Sequence, residues 1–173
     1  MTRFLSEALG KRDRAAFASG NDRIDAYFRT AVSQDVKRNY AACYVLVEQD
    51  SARLAGFYTL SATHIPLPDI PPDIARKLPR YPNVPAVLIG WLGRDLGFRG
   101  ENIGGLLLHD AIARVSASHI GASALFADAI DEAAAEFYRR HQFIALVNRP
   151  GSLFLPWATA IKNLPTPSTG ATA

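Results

Sequence analysis

The chain has 173 residues, 49% of them hydrophobic and 20% charged, and a formal net charge of +3. That length suits one compact domain with a full core, and the mild positive charge permits an anionic partner without requiring one. One cysteine excludes an internal disulfide and a thiolate metal cluster, and no apolar run is long enough to span a bilayer. The N-terminus Met1-Thr2-Arg3-Phe4-Leu5-Ser6-Glu7 lacks the apolar core of a signal peptide, so a cytoplasmic protein is expected.

Residues 1–40 read as helical and polar. Ser19-Gly20-Asn21-Asp22 offers turn and capping chemistry, and Ile24, Tyr27, Phe28, Ala31 and Val32 follow at helical spacing. The segment holds eight basic residues (Arg3, Lys11, Arg12, Arg14, Arg23, Arg29, Lys37, Arg38) and five acidic ones, an excess that matches the whole formal charge. Such a pattern fits a solvated helix face of mixed charge, or a basic lip for an anionic macromolecule.

Two strands, Ala42–Glu48 and Leu54–Ser61, flank a polar turn and pair as a hairpin. Cys43 lies in the first and is expected to be packed rather than reactive. Seven of the eleven prolines then fall between Pro66 and Pro85. Proline lacks the ladder N–H, so this stretch is expected to stay out of the sheet interior and to line a cleft, with a short helix from Asp73 to Leu78. His64 would open this link.

The apolar run Ala86–Leu92 reads as a buried strand, and Ile103 to Val115 as a helix. Between them lies a glycine-rich turn carrying Arg99. A strand, a glycine turn and a helix N-terminus expose unpaired backbone N–H groups at the positive end of a helix dipole, which is an anion site. The spacing is neither G-x-G-x-x-G nor a P-loop. Ala124–Ile130 forms another buried strand, Asp131 caps a helix from Glu132 to His141, and Phe143–Val147 and Leu153–Pro156 finish the core as strands. Residues 1–162 make one domain, and 163–173 a low-complexity tail. The order gives an α+β fold: a mixed, mostly antiparallel sheet with a central parallel strand pair flanked by helices. The glycine turn and the end of the 124–130 strand both fall at the C-terminal edge of that pair, where ligands of open α/β sheets bind.

Arg99-Gly100-Glu101-Asn102-Ile103-Gly104, followed by Gly105-Leu106-Leu107, resembles the acyl-CoA pyrophosphate loop of the GNAT N-acetyltransferases, Gln/Arg-x-x-Gly-x-Gly/Ala. Asp131-x-x-Ala134-x-x-Phe137-Tyr138-x-x-x-Gln142-Phe143 is similar to the last motif of that family. The front of the chain, Phe17-Ala18-Ser19-Gly20-Asn21 through Phe28, together with Leu78-Pro79 and Gly90-Trp91-Leu92-Gly93, resembles the GNAT toxins of bacterial type II toxin–antitoxin systems. The resemblance spans roughly residues 14–161. It departs from the pattern at Asn102, where glycine is usual but asparagine tolerates left-handed backbone. At Gln142 the glycine that ends the last helix is replaced, which suggests a different C-cap.

What the resemblance implies is a GNAT-like fold and transfer of an acetyl group from acetyl-CoA to the α-amino group of an aminoacyl-tRNA, blocking translation. It further implies a ribbon–helix–helix antitoxin as partner, leaves a homodimer open, and involves neither metal nor membrane. The loop residues Arg99, Gly100, Glu101, Asn102, Ile103, Gly104 and Gly105 would hold the pyrophosphate. Trp91, Leu92, Gly93 and Arg94 would pair with the pantetheine arm, with Asp131 and Phe137 completing the cofactor site. Tyr138 would be the general acid for the leaving thiolate. Read from the residues alone, Tyr138 fits a core or CoA-packing aromatic on an amphipathic helix better than a catalytic one. No general base is evident; of His64, His109, His119 and His141, only His64 stands out. Arg12, Arg14, Lys37, Arg38, Arg76, Lys77 and Arg80 are the basic candidates for a tRNA backbone. The same motifs are compatible with a GNAT acting on a small amine or a protein N-terminus, and with a non-catalytic CoA-binding fold.

Overall fold

The computed structural model describes residues 2–164. Its frame is a seven-stranded sheet in the order β1-β2-β3-β4-β5-β7-β6. The strands are β1 Phe4–Ala8, β2 Ala42–Glu48, β3 Leu54–Pro66, β4 Asn83–Arg94, β5 Ala124–Asp128, β6 Ile144–Leu146 and β7 Arg149–Pro156. All neighbours are antiparallel except β4 and β5. The helices are α1 Asp22–Ala26, α2 Val32–Lys37, α3 Pro72–Ala75, α4 Ile103–Ala117, α5 Glu132–Arg140 and α6 Trp157–Ala160. Among the described residues no helix is long and apolar enough to cross a membrane. This is the α+β architecture expected.

Strand alternation divides the apolar residues between two faces. Ile89, Leu125, Ala127 and Leu153 turn toward α4 and α5, where Leu108, Ile112, Ala135 and Tyr138 meet them. Phe57, Val45 and Val47 turn the other way and pack on Phe28 and Val32 of the first helical segment. Ile65, Val84, Ala86, Ala124 and Phe126 share this second face and are covered by Ile74 and Leu78 of the proline-rich link. One face thus carries α4 and α5, the other α1, α2 and the link.

The N-terminal reading needs correction. Phe4–Ala8 is a strand, not a helix, and it pairs with β2 from Phe4↔Glu48 to Ala8↔Tyr44. As an edge strand it keeps a polar residue on its inner face: the Ser6 hydroxyl donates to Asp110 of α4, which also takes the Tyr58 hydroxyl and Arg114. The helical segment begins at Asn21, whose side chain accepts from the N–H groups of Arg23 and Ile24. A π-helical turn, Tyr27–Ala31, separates α1 from α2. Two prolines of the proline-rich link also enter strands. Pro85 pairs with His64 and Pro66 with Asn83, so β3 runs beyond Ser61 and His64 lies within it. Pro85 accepts from Ser123 N–H, so its nitrogen faces the flank where β5 has not yet begun and no ladder bond is lost. Strand β5 ends at Asp128, two residues short of the expected end. At the C-terminus, Asn163 belongs to a 3-10 turn and Leu164 packs on the core, while the rest of the expected tail lies outside the described residues.

The end of α5 is the other departure. Gln142 has φ +70°, Phe143 N–H donates to Tyr138 C=O at 3.1 Å, and Gln142 N–H donates to Arg139 C=O at 3.0 Å. This is a Schellman cap, with Phe143 against Tyr138 at 4.9 Å between ring centroids supplying its apolar contact. The glycine-type cap is therefore kept without glycine, at the cost of a side chain in left-handed backbone. Gln142→Gly is expected to raise the unfolding free energy by about 0.5–1 kcal/mol in urea titration. Gly56 of β3 has no such freedom. A Cβ there would lie 2.7 Å from Leu107, 2.9 Å from the Gly93 carbonyl oxygen and 3.0 Å from Ile103. Gly56→Ala should cost about 1–3 kcal/mol by the same measurement.

Candidate active site

The parallel pairing of β4 and β5 lasts three residue pairs, from Ala86↔Ala124 to Leu88↔Phe126. Beyond it β4 continues to Arg94 against β3, while β5 stays with β7 as far as Asp128↔Ser152. The two strands therefore part. A bulge accompanies the parting: Tyr58 pairs with Leu92 and Leu60 with Ile89, so Thr59 faces both Gly90 and Trp91. Thr59 Oγ1 accepts from Trp91 N–H at 3.0 Å. The bulge shifts the alternation, so that Asp95 N–H bonds Ala55 of β3. By alternation the N–H and C=O of Leu92 and Arg94 turn to the open side of the gap.

A cavity of about 330 Å³ occupies this gap. Tyr138 reaches it from α5 on one face, and Trp91, Asp128 and the α1 residues Arg23 and Ile24 reach it from the other. It thus opens through the sheet. Burial alone raises the Tyr138 pKa well above that of free tyrosine, so the phenol holds its proton at neutral pH. Tyr27, carried on the π-helical turn, stacks on Trp91 at 4.2 Å and 8° and donates to Asp35. Burial and Asp35 together push its pKa up as well.

A second, wider cavity of about 970 Å³ lies at the start of α4. Arg94, Arg99, Gly100, Asn102, Gly104, Gly105, Phe137, Arg140 and His141 line it. Asn102 takes φ +55°, and its carbonyl accepts from Leu106 N–H at 3.1 Å. Its amide group sits where a Cβ on Gly105 would be, at 2.5 Å. A Cβ on Gly104 would lie 2.9 Å from the Phe137 ring, so this glycine lets α4 and α5 meet. Two glycines in a helical first turn cost about 2 kcal/mol in propensity. Burial of Ile103, Leu107, Leu108 and Ile112 at about 1.5–3 kcal/mol each outweighs that.

One atom in this cavity is unsatisfied. Arg94 Nη1 is buried with no hydrogen-bond partner among the described residues. A buried cationic N–H without an acceptor is costly, and an anion supplies one. With Arg99, Arg140 and the first-turn amides of a fifteen-residue helix, the cavity offers the kind of donors that phosphate oxygens accept from.

Two clamps hold the walls together. Buried Asp95 accepts from Ala18 N–H at 3.0 Å and Gly97 N–H at 2.8 Å, and Leu96 N–H donates to Ala18 C=O at 2.8 Å. These bonds tie the loop before α1 to the end of β4 and set Arg23 and Ile24 over the gap. Gly93 lies beneath, where a Cβ would meet Ile24 and Phe57 at 2.8 Å.

Of the expected site residues, Tyr138, Trp91 and Leu92 line the gap, while Arg94, Arg99, Gly100, Asn102, Ile103, Gly104, Gly105 and Phe137 line the phosphate cavity. Three are placed elsewhere. Gly93 is packing, Glu101 turns away to Arg3, and Asp131 is the N-cap of α5, accepting from Ala134 N–H at 2.8 Å. The Trp91 amide is occupied by Thr59. His64, His109 and His119 are exposed and line neither cavity. His141 lines the phosphate cavity with Nδ1 2.8 Å from Phe137 C=O. Arg12 bonds Glu7 and Leu9 C=O, and Arg14 bonds Phe28 C=O. Cys43 is buried, its thiol pushed up to about 12. Arg23, Arg140 and Asp128 escaped the sequence reading as site residues. Asp128 had a signal, as the polar residue that ends an apolar strand at the ligand edge of the sheet.

No protein-family model matches the chain. It is 32% identical over 158 residues to the protein named probable toxin TacT of Sinorhizobium fredii, covering 86% of this chain and 87% of that one. A solved variant of KacT matches with a TM-score of 0.85 at 26% identity, over 93% of this chain and 99% of the other. AtaT, solved in complex with acetyl-methionyl-tRNAfMet, matches with a TM-score of 0.82 at 27% identity, over 92% and 97%.

The orphaned guanidinium gives a measurable expectation. Millimolar inorganic pyrophosphate should raise Tm by about 2–4 °C, the shift that roughly 1 kcal/mol gives a chain of this size. In Arg94→Met that shift should vanish in a thermal melt.

Proposed function

The chain belongs to the GNAT-fold toxins related to TacT, and on that footing we propose that it transfers the acetyl group of acetyl-CoA to the α-amino group of an aminoacyl-tRNA and so blocks translation. The observation that carries this reading is the gap between β4 and β5. It has a protonated, buried phenol on one wall and a cationic phosphate cavity at its mouth.

Acyl transfer from a thioester to an amine needs a neutral amine, a stabilised oxyanion and a proton for the leaving thiolate. Acetyl-CoA, when bound, supplies the activated acetyl group. The amides of α4, with Arg94, Arg99 and Arg140, would hold its phosphates. Leu92 and Arg94 would pair with the pantetheine arm as an added strand pairs with a sheet edge, and the Leu92 N–H would serve the thioester carbonyl. The Tyr138 phenol would give its proton to the departing sulfur. It enters the reaction protonated. AtaT bound to an acetylated methionyl-tRNA supports tRNA as the acceptor. The partner the family implies is an antitoxin of the ribbon–helix–helix type.

The test is mass spectrometry of a charged tRNA pool incubated with acetyl-CoA and the protein. Wild type should yield N-acetyl-aminoacyl-tRNA. Tyr138→Phe should lower the rate by about 10²–10⁴-fold without changing the urea midpoint. Expression of wild type alone should arrest bacterial growth, and Tyr138→Phe should not. Unimpaired growth, with acetylation of small amines instead, would replace tRNA as the acceptor.

A further inference from the structure

The two faces of the sheet divide the labour of the gap. Phosphate cavity, α4 and α5 lie on one face, and Tyr138 enters from there. Asp128, two residues beyond Phe126 in β5, stands on the other face with Trp91 and α1, and lines the same cavity as Tyr138. An amine entering from that face meets one carboxylate. We propose that Asp128 receives the acceptor's α-ammonium group and orients its nitrogen toward the gap, a role that rests on the acetyl-transfer reading.

The carboxylate is prepared for this. Asp128 pairs with Ser152 across β5 and β7, so both side chains stand on one face, and the Ser152 hydroxyl donates to Oδ1. Arg149 Nη2 lies 3.8 Å from the same oxygen. Oδ1 is thus engaged, and among the described residues Oδ2 accepts no hydrogen bond. An amine N–H on Oδ2 leaves the nitrogen lone pair directed away from the carboxylate. Arg23, on the opposite rim, repels an ammonium and suits the phosphate that follows an aminoacyl ester on a nucleotide chain.

The step balances without a further reactant. An α-amino group has a pKa of about 7.7–8.0, so the ammonium loses one proton to water near neutral pH while keeping an N–H on Oδ2. The nitrogen forms the C–N bond, the C–S bond breaks, and Tyr138 Oη gives its proton to the thiolate. A second N–H proton then leaves for solvent as the amide forms, and the Tyr138 phenolate takes one back from water, which restores the acid. Asp128 supplies hold and direction, and need not be strong enough as a base to take the proton itself.

The experiment measures steady-state kinetics with two acceptors, a charged tRNA pool and amino-acid methyl esters, which carry the same ammonium without RNA. Asp128→Ala should lower kcat/KM for each acceptor by about 10- to 100-fold, with KM for acetyl-CoA within twofold of wild type and the urea midpoint unchanged. Asp128→Asn, which still accepts a hydrogen bond, should fall between the two. Acceptor kcat/KM within twofold of wild type in Asp128→Ala would overturn the proposal. An equal loss in the acetyl-CoA KM would also overturn it, because a purely structural carboxylate disturbs both sites. If wild type uses the esters but no charged tRNA, and Asp128→Ala loses the esters, then the tRNA reading fails and the role of Asp128 stands.

Discussion

Everything functional in this chain depends on the shortness of one parallel strand contact. Strands β4 and β5 pair at three positions and then part, each held on its other edge by an antiparallel neighbour. A hydrogen-bonded sheet has no internal surface. One that parts at its centre exposes backbone N–H and C=O groups and gives access from both faces. The bulge at Gly90 and Trp91 is what allows β4 to leave, and Thr59 offsets its cost by taking the amide the bulge would otherwise strand. Parting strands, an engaged Trp91 amide and open groups at Leu92 and Arg94 are one geometric event.

The walls of the gap are fixed by close approach rather than by salt bridges. The absence of a Cβ at Gly104 lets Phe137 of α5 sit against the start of α4, and at Gly56 it lets α4 lie on β3. The Schellman cap at Gln142 ends α5 one turn after Tyr138 and brings Phe143 under the phenol ring. Asp95 holds the N-terminal loop to the end of β4. The exposed ion pairs, such as Arg139 with Glu132, contribute little beside these contacts.

The central unit was legible in the sequence because its signals are strong and local. An apolar run leading into a glycine turn and a periodic helix dictates a strand, the turn and α4. Asp131 announces the cap of α5 by residue type. The rest turned on partners that lie far along the chain. Phe4–Ala8 carries no strand pattern because its inner polar residue, Ser6, is satisfied by Asp110 and Arg114 of α4, a hundred residues along the chain. Pro85 looks incompatible with a central strand until the start of the β5 ladder, one residue later, is located. Trp91 belongs by motif to the edge that pairs with a ligand, yet a bulge invisible in the sequence gives its amide to Thr59. Arg23 reaches the gap only through the Asp95 clamp, and Asp128 gains meaning only when the two faces of the sheet are told apart.

The most direct test of the account is hydrogen exchange of backbone amides with and without acetyl-CoA. Protection confined to Leu92, Arg94 and the amides from Gly100 to Gly105 is the predicted result, with the hairpin β2–β3 and the proline-rich link unchanged. Unaltered exchange at Leu92 and Arg94, with protection on the link instead, would show that the gap between β4 and β5 is not where the acyl donor binds.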